Sequence, residues 1–272
     1  MKLKKSLGQH ILVKKSVLAK IIDTADIAPD DTILEIGAGT GILTKELLKK
    51  AKKVVAVEID TELIKSLKQL FKAEIESGKL RLIKGDILNI SEKELALPDG
   101  YKIVANIPYY ITSKILERFL TLKKLSQVMV LLVQKEVGER ICAKPGCTSI
   151  LSISVQYFAK PEIVAKVPAA AFRPMPAVDS TVIKISDIKN RASKEVNQKD
   201  FFRLVKVSFA SRRKTLANNL SAGFYISKEE AFDIIKKANL QKTVRAQELT
   251  VADWILITKL GRKWIKNHQS KL

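Results

Sequence analysis

Apolar residues along this chain follow two alternating rhythms. Short runs dominated by apolar and β-favouring residues, at 32–36, 54–57, 80–83, 101–105, 128–133 (fully apolar), 163–167 and 181–185, have the length of buried strands. Between them, apolar positions recur every three or four residues. Val17, Leu18, Ile21 and Ile22 do so over 14–25, Leu43, Leu47 and Leu48 after residue 41, and Leu63, Ile64, Leu67, Leu70 and Phe71 over 61–77. Residues 113–124 and 135–143 also read as helices, while periodicity leaves 149–158 either helical or extended. Strands alternating with helices predict a parallel sheet with crossover helices. The last two of the seven strands have no helix between them, so one is expected to run antiparallel at an edge.

The rhythm changes near residue 188. Residues 190–198 are polar and linker-like, and the remainder of the chain is helical only. Phe201, Leu204, Val205 and Ser208 share a face. Ser227 with Glu230, and Thr250 with Asp253, are spaced as capping boxes ahead of apolar helices. Two domains are therefore expected: an α/β domain over 1–189, with a basic arm at its start, and a small all-helical domain over 190–272.

Composition changes this picture mainly through charge. The chain has 272 residues and is 46% hydrophobic, enough for a real core. Lys and Arg number 49 against 28 Asp and Glu, a net charge of +21. Residues 190–272 hold 18 basic and 7 acidic side chains, so charge per residue is about doubled there. Such a surplus favours a polyanionic partner, against the simpler reading of solvated lysines. No apolar stretch approaches the roughly 18–20 residues of a membrane span. Lys2, Lys4 and Lys5 are not followed by the apolar segment of a secretion signal. Cys142 and Cys147 make no disulfide framework, and with only His10 and His268 in the chain no metal site is expected. A cytoplasmic protein without membrane attachment is the expectation.

Candidate chemistry gathers at strand ends. Gly37, Gly39 and Gly41 lie between a strand and a helix, where alternate glycines permit a tight turn and close approach of a ligand. Glu58 ends the next strand, 17 residues beyond Gly41, placed to accept from ribose hydroxyls. Asp86 ends the third. A dinucleotide fingerprint needs glycine at its sixth position, where Ile42 stands. S-adenosylmethionine fits better, with a dinucleotide or purely structural glycines as alternatives. Asn106, Ile107, Pro108 and Tyr109 follow the fourth strand. An exocyclic amine is a poor nucleophile until its nitrogen moves toward tetrahedral geometry. The Asn106 side-chain oxygen and the Ile107 carbonyl could accept its two N–H bonds, Pro108 restricting Ile107 and Tyr109 stacking on the base. The bland alternative is a strand-ending Asn-x-Pro turn. Phe172, in a proline-rich loop with Pro174 and Pro176, could close an aromatic sandwich or simply fill the core. Arg212, Arg213 and Lys214, at the start of an expected helix, suit phosphate contacts.

Together these motifs resemble the small-subunit (16S) ribosomal RNA adenine N6,N6-dimethyltransferases. The resemblance covers nearly the whole chain. It rests on six stretches in order: Ser6 to His10 with Leu12; Glu35 to Gly41; Asn106 to Tyr109; Gln134 to Arg140; Phe172 to Ser180; and Arg212 to Leu216 with Asn218, Asn219 and Leu220. It implies a class I (Rossmann-like) methyltransferase sheet of seven strands with a C-terminal helical domain. It implies dimethylation of two adjacent adenosines in the 3′-terminal hairpin of 16S rRNA, in immature small subunits, by a monomer using S-adenosylmethionine and no metal. Catalytic roles fall to Asn106, Ile107, Pro108, Tyr109 and Phe172. Cofactor contacts fall to His10, Leu12, Gly37, Gly39, Glu58, Asp86 and Asn106, and RNA contacts to Arg212, Arg213 and Lys214. Ile11 stands where Phe is usual and Lys114 where Pro is expected. The rivals are a macrolide-resistance enzyme of large-subunit rRNA and a catalytically silent assembly or transcription factor.

Overall fold

The computed structural model describes residues 10–189 and 196–267. The Ser6–Gln9 motif, the basic arm and most of the expected linker lie outside them. In chain order the elements are β1 (Ile11–Leu12), α1 (Lys15–Ala25), β2 (Thr32–Ile36), α2 (Ile42–Lys50), β3 (Lys53–Glu58), α3 (Thr61–Leu70), α4 (Lys72–Glu76), β4 (Leu80–Lys84), α5 (Glu92–Leu95), β5 (Lys102–Asn106), α6 (Thr112–Thr121) and β6 (Val128–Gln134). They continue with α7 (Lys135–Ile141), α8 (Ile150–Phe158), β7 (Lys160–Val167), β8 (Phe172–Arg173), β9 (Ser180–Ser186), α9 (Gln198–Ser208), α10 (Leu216–Phe224), α11 (Lys228–Lys237), α12 (Val251–Leu260) and α13 (Arg262–Asn267).

The seven expected strands pair in the order β4-β3-β2-β5-β6-β9-β7. The five from β2 to β6 are mutually parallel, each reached through a helical crossover. The antiparallel strand differs from the expectation: it is β9, inserted second from the edge, with β7 outermost. Without a crossover helix, β7 and β9 can only meet antiparallel, and β9 fills the place beside β6. The order reverses between β2 and β5, the switch point at whose carboxyl ends open α/β sheets bind ligands. Glycine loop and tetrad both leave the sheet there.

Side chains alternate across the sheet. On one face Ile33, Ala56, Val104, Val130 and Val182 are buried with Ile21, Ala25, Leu43 and Leu47 of α1 and α2. The helix expected over 61–77 breaks at Phe71, whose ring is buried beneath the glycine loop. An added Cβ at Gly41 would lie 2.6 Å from that ring, so glycine here serves packing as well as its φ of +83°.

The described residues form two units. One comprises residues up to Glu139 and Ala159–Lys189; the other, Arg140–Phe158 and residues from Val196. The expectation had a single boundary, at 189/190; the described residues change unit after Glu139, after Phe158 and again between Lys189 and Val196. Residues 149–158 are helical, and Tyr157 packs on Phe201 with ring centroids 4.2 Å apart. The turn before α8 is fastened to Gln247, whose carbonyl accepts from the Gly146 amide and the Thr148 hydroxyl at 2.8 Å each. Both capping boxes form, at Ser227 and at Thr250. Among the described residues no helix is long and apolar enough to cross a membrane.

Candidate active site

The cavity at the switch point is lined by His10 and Leu12, by the loop from Gly37 to Thr40, by Glu58 and Ile59, by Asp86, and by Asn106 to Tyr110. It therefore brings together every cofactor-site residue read from the sequence and the whole tetrad.

Gly37, Gly39 and Gly41 all have positive φ, at +76°, +59° and +83°. Residues with side chains would be strained at each. A Cβ at Gly37 would lie 3.6 Å from the Asn106 carbonyl oxygen, so loop and tetrad touch through backbone. The loop is tied to β3 from two directions. The Gly37 amide donates to the Val57 carbonyl at 2.8 Å, and the Gly39 amide donates to Glu58 Oε2 at 2.9 Å. Glu58 Oε1 also accepts from the Ile59 and Asp60 amides, at 2.9 Å each. Three backbone donors thus hold a buried carboxylate at the cavity wall, a role that its expected ribose contact did not anticipate. Asp86 sits in an Asx turn, its Oδ1 accepting from the Leu88 amide at 2.9 Å and its Oδ2 from Asn89 Nδ2 at 3.1 Å. Rigid glycine backbone, a fixed carboxylate and a second carboxylate beyond it fit a nucleoside with free hydroxyls and an amino group.

Asn106 ends β5 and is half-buried. Its Nδ2 donates to the His10 carbonyl at 3.0 Å, while among the described residues its Oδ1 accepts no hydrogen bond. Ile107 is buried, its amide donating to the Leu132 carbonyl at 3.4 Å. Pro108, at φ −56° and ψ 129°, leads into a single 3₁₀ turn over Tyr109–Ile111. The Tyr109 hydroxyl pairs with Ser180 Oγ at 2.7 Å. Burial raises its pKa despite that bond, so it remains a neutral phenol with a polarised tip. Tyr110 is 66% exposed at the rim, an aromatic the sequence reading passed over.

Phe172 takes the second of its two expected readings: it fills the core and does not close an aromatic sandwich at the cavity, against the catalytic role that the resemblance implied. It is fully buried in the core with Leu12, Val17 and Val182 and does not line the cavity. β8 pairs antiparallel with β1, Leu12 facing Phe172 and Ile11 facing Arg173, and this turns the ring inward. What the loop offers the site is the Pro174 carbonyl, which accepts from His10 Nδ1 at 2.8 Å. The His10 ring lies nearly parallel to Tyr109, at 17° with centroids 6.2 Å apart.

In the second unit Arg212, Arg213 and Lys214 are exposed, and they occupy the turn ahead of α10. The helix starts only at Leu216, with Thr215 as its cap. Buried Asn219 donates to the Ser208 and Ser211 carbonyls at 2.7 and 2.9 Å, fixing the backbone on which the cations stand.

Known proteins match this chain along most of its length. It is 43% identical over 255 residues to ribosomal RNA small subunit methyltransferase A of Dehalococcoides mccartyi, covering 93% of this chain and 87% of that protein. The protein of the same name from Alkaliphilus metalliredigens is 40% identical over 263 residues, covering 94% and 90%. Among solved structures, a dimethyladenosine transferase from Plasmodium falciparum superposes with a TM-score of 0.80 at 29% identity, covering 94% of this chain and 98% of that one. The 23S rRNA methyltransferase ErmE shares the fold at a TM-score of 0.73 and 23% identity, covering 92% and 98%. The family described as ribosomal RNA adenine dimethylase matches residues 1–260. The chain belongs to that family.

Proposed function

We propose that this protein transfers methyl groups from S-adenosylmethionine to the N6 amines of two adjacent adenosines in the 3′-terminal hairpin of 16S rRNA. The observation that carries the reading is the Asn106 to Tyr109 tetrad, which lines one cavity with the glycine loop and Glu58. The small-subunit names of the relatives favour 16S over 23S rRNA as substrate. S-adenosylmethionine would be held by His10, Leu12, Gly37, Gly39, Glu58, Asp86 and Asn106, and it supplies an electrophilic sulfonium methyl. Glu58 takes the ribose hydroxyls and Asp86 the adenine side.

In the first transfer Asn106 Oδ1 and the Ile107 carbonyl accept hydrogen bonds from the two N–H groups of the target amine, which turns the nitrogen lone pair toward the methyl group; the monomethylated amine keeps one N–H for alignment in the second. Each transfer breaks the S–CH3 bond, releases S-adenosylhomocysteine and passes one N–H proton to solvent. Tyr109 stacks on the base. No strong base is needed, because alignment does most of the work. The buried Phe172 contributes no face to this base; it anchors the loop. Arg212, Arg213 and Lys214 meet RNA phosphates. The protein acts as a cytoplasmic monomer on immature small subunits. The test is transfer of labelled methyl to such subunits, followed by nucleoside analysis. Labelled N6,N6-dimethyladenosine in 16S rRNA is expected; label confined to large-subunit RNA would overturn the assignment.

A further inference from the structure

We propose that Pro174 and His10 form a relay that sets which end of the Asn106 amide faces the substrate, making His10 a positioning residue for methyl transfer. The proposal rests on the reading that Asn106 Oδ1 accepts from the target amine.

A side-chain amide can flip by half a turn and exchange its oxygen for its NH2 group. With the NH2 facing the substrate, it would meet the N–H bonds of the amine donor to donor, and alignment would fail. The flip is decided by what the other end of the amide meets. Here that is the His10 carbonyl, 3.0 Å from Nδ2. A flipped amide would set two oxygens against each other at that distance, so the carbonyl holds Oδ1 free for substrate.

The His10 carbonyl is useful only if it stays in place, and residue 10 lies just outside the β1–β8 ladder. Its side chain supplies the missing rung. A carbonyl can only accept, so His10 Nδ1 carries the hydrogen and donates to Pro174 at 2.8 Å. The ring also braces against Tyr109 in an offset parallel arrangement. Three segments far apart in sequence thus meet: the loop after Phe172, residue 10 and the end of β5. This gives the proline-rich loop a function that its buried phenylalanine does not supply.

Two substitutions separate the relay from simple stacking. His10→Phe keeps the ring and loses the donor. His10→Asn loses the ring and keeps an N–H at the same distance from the main chain. On small-subunit RNA, His10→Phe should lower kcat at least about tenfold. The rate is read at saturating S-adenosylmethionine, because His10 also lines the cofactor cavity and a weakened cofactor contact shows in KM; His10→Asn should recover most of the rate. Full kcat in His10→Phe, or a loss expressed in that KM alone, overturns the relay. A second readout needs no RNA. The Asn106 side-chain NH2 signals, assigned by their disappearance in Asn106→Asp, should be dispersed and slow to exchange in the wild type and in His10→Asn. In His10→Phe they should collapse toward solvent-exposed values. Unchanged signals there overturn the relay even if the RNA assay finds a different substrate, and absent methylation by the wild type overturns only the functional reading.

Discussion

Glu35 is a buried acid that the proposed chemistry does not use. It lies on β2 between Ala56 and Val104, fully buried, and neither of its oxygens has a hydrogen-bond partner among the described residues. Burial pushes its pKa from 4.5 to about 8; Thr44, whose hydroxyl and amide can donate to the ionised carboxylate, tempers the shift, and the negative Glu58 adds to it. The folded protein therefore keeps this proton well past neutrality, while the unfolded chain releases it near 4.5. Between those values unfolding releases a proton, so stability falls as pH rises, by about 1.4 kcal/mol per pH unit. The contribution is fully present below the unfolded value and gone above about pH 8. Glu35→Gln removes the titration and keeps the shape. Its own buried amide adds an offset that does not vary with pH. Relative to wild type, the variant should gain about 3 kcal/mol between about pH 5 and pH 7.5. Urea unfolding of both proteins at half-unit pH steps measures this directly. A difference that stays constant over that window would mean that Glu35 is ionised in the fold, and would refute the argument.

The geometry sets four further outcomes. Gly41→Ala forces a side chain into the left-handed region and against Phe71, and should cost about 2–4 kcal/mol in urea unfolding; a cost below about 1 would mean the loop relaxes freely. Lys102 is buried against Asp31 at 2.8 Å and also donates to the Asp26 carbonyl, so Lys102→Met should lose about 3 kcal/mol, read as a drop in Tm. Asn106→Ala should lower turnover at least about a hundredfold while RNA affinity is kept; full activity would defeat the proposed amine alignment. Replacing Arg212, Arg213 and Lys214 together by Ala should weaken RNA binding and shallow its salt dependence by roughly two to three units of log–log slope. An unchanged slope would place the RNA surface elsewhere.

The sheet and the wall of the cavity were legible in the sequence because both arise from local rules. Period-two and period-3.6 patterns mark the strands and helices, and parallel strands bring their carboxyl ends together whatever their order. Glycine, Glu58 and Asn106 at those ends then had to converge. What escaped was decided by contacts between distant segments. Two-residue strands such as β1 and β8 are too short to carry a period, and their pairing is what buries Phe172 and exposes the Pro174 carbonyl. The edge position of β7 and the excursion over residues 140–158 depend on which surface each segment meets. The expected helix start at Arg212 failed for a local reason: Thr215 is the better cap, and Asn219 fastens the preceding backbone as a turn.

The excursion over residues 140–158 also has a consequence for synthesis of the chain from its N-terminus. β6 stays an open edge until β9 emerges, roughly fifty residues later, and by then the rings of Tyr157 and Phe158 have already left the ribosome without Phe201 and Phe202. A nascent chain ending just after β9 would complete its sheet yet carry an unpaired aromatic helix. Such a species is prone to aggregate and is a natural client for a chaperone that binds exposed aromatic surface. Truncation at residue 189, where composition alone would cut, is therefore expected to yield an insoluble product, and the isolated 190–272 fragment would lack part of its own core.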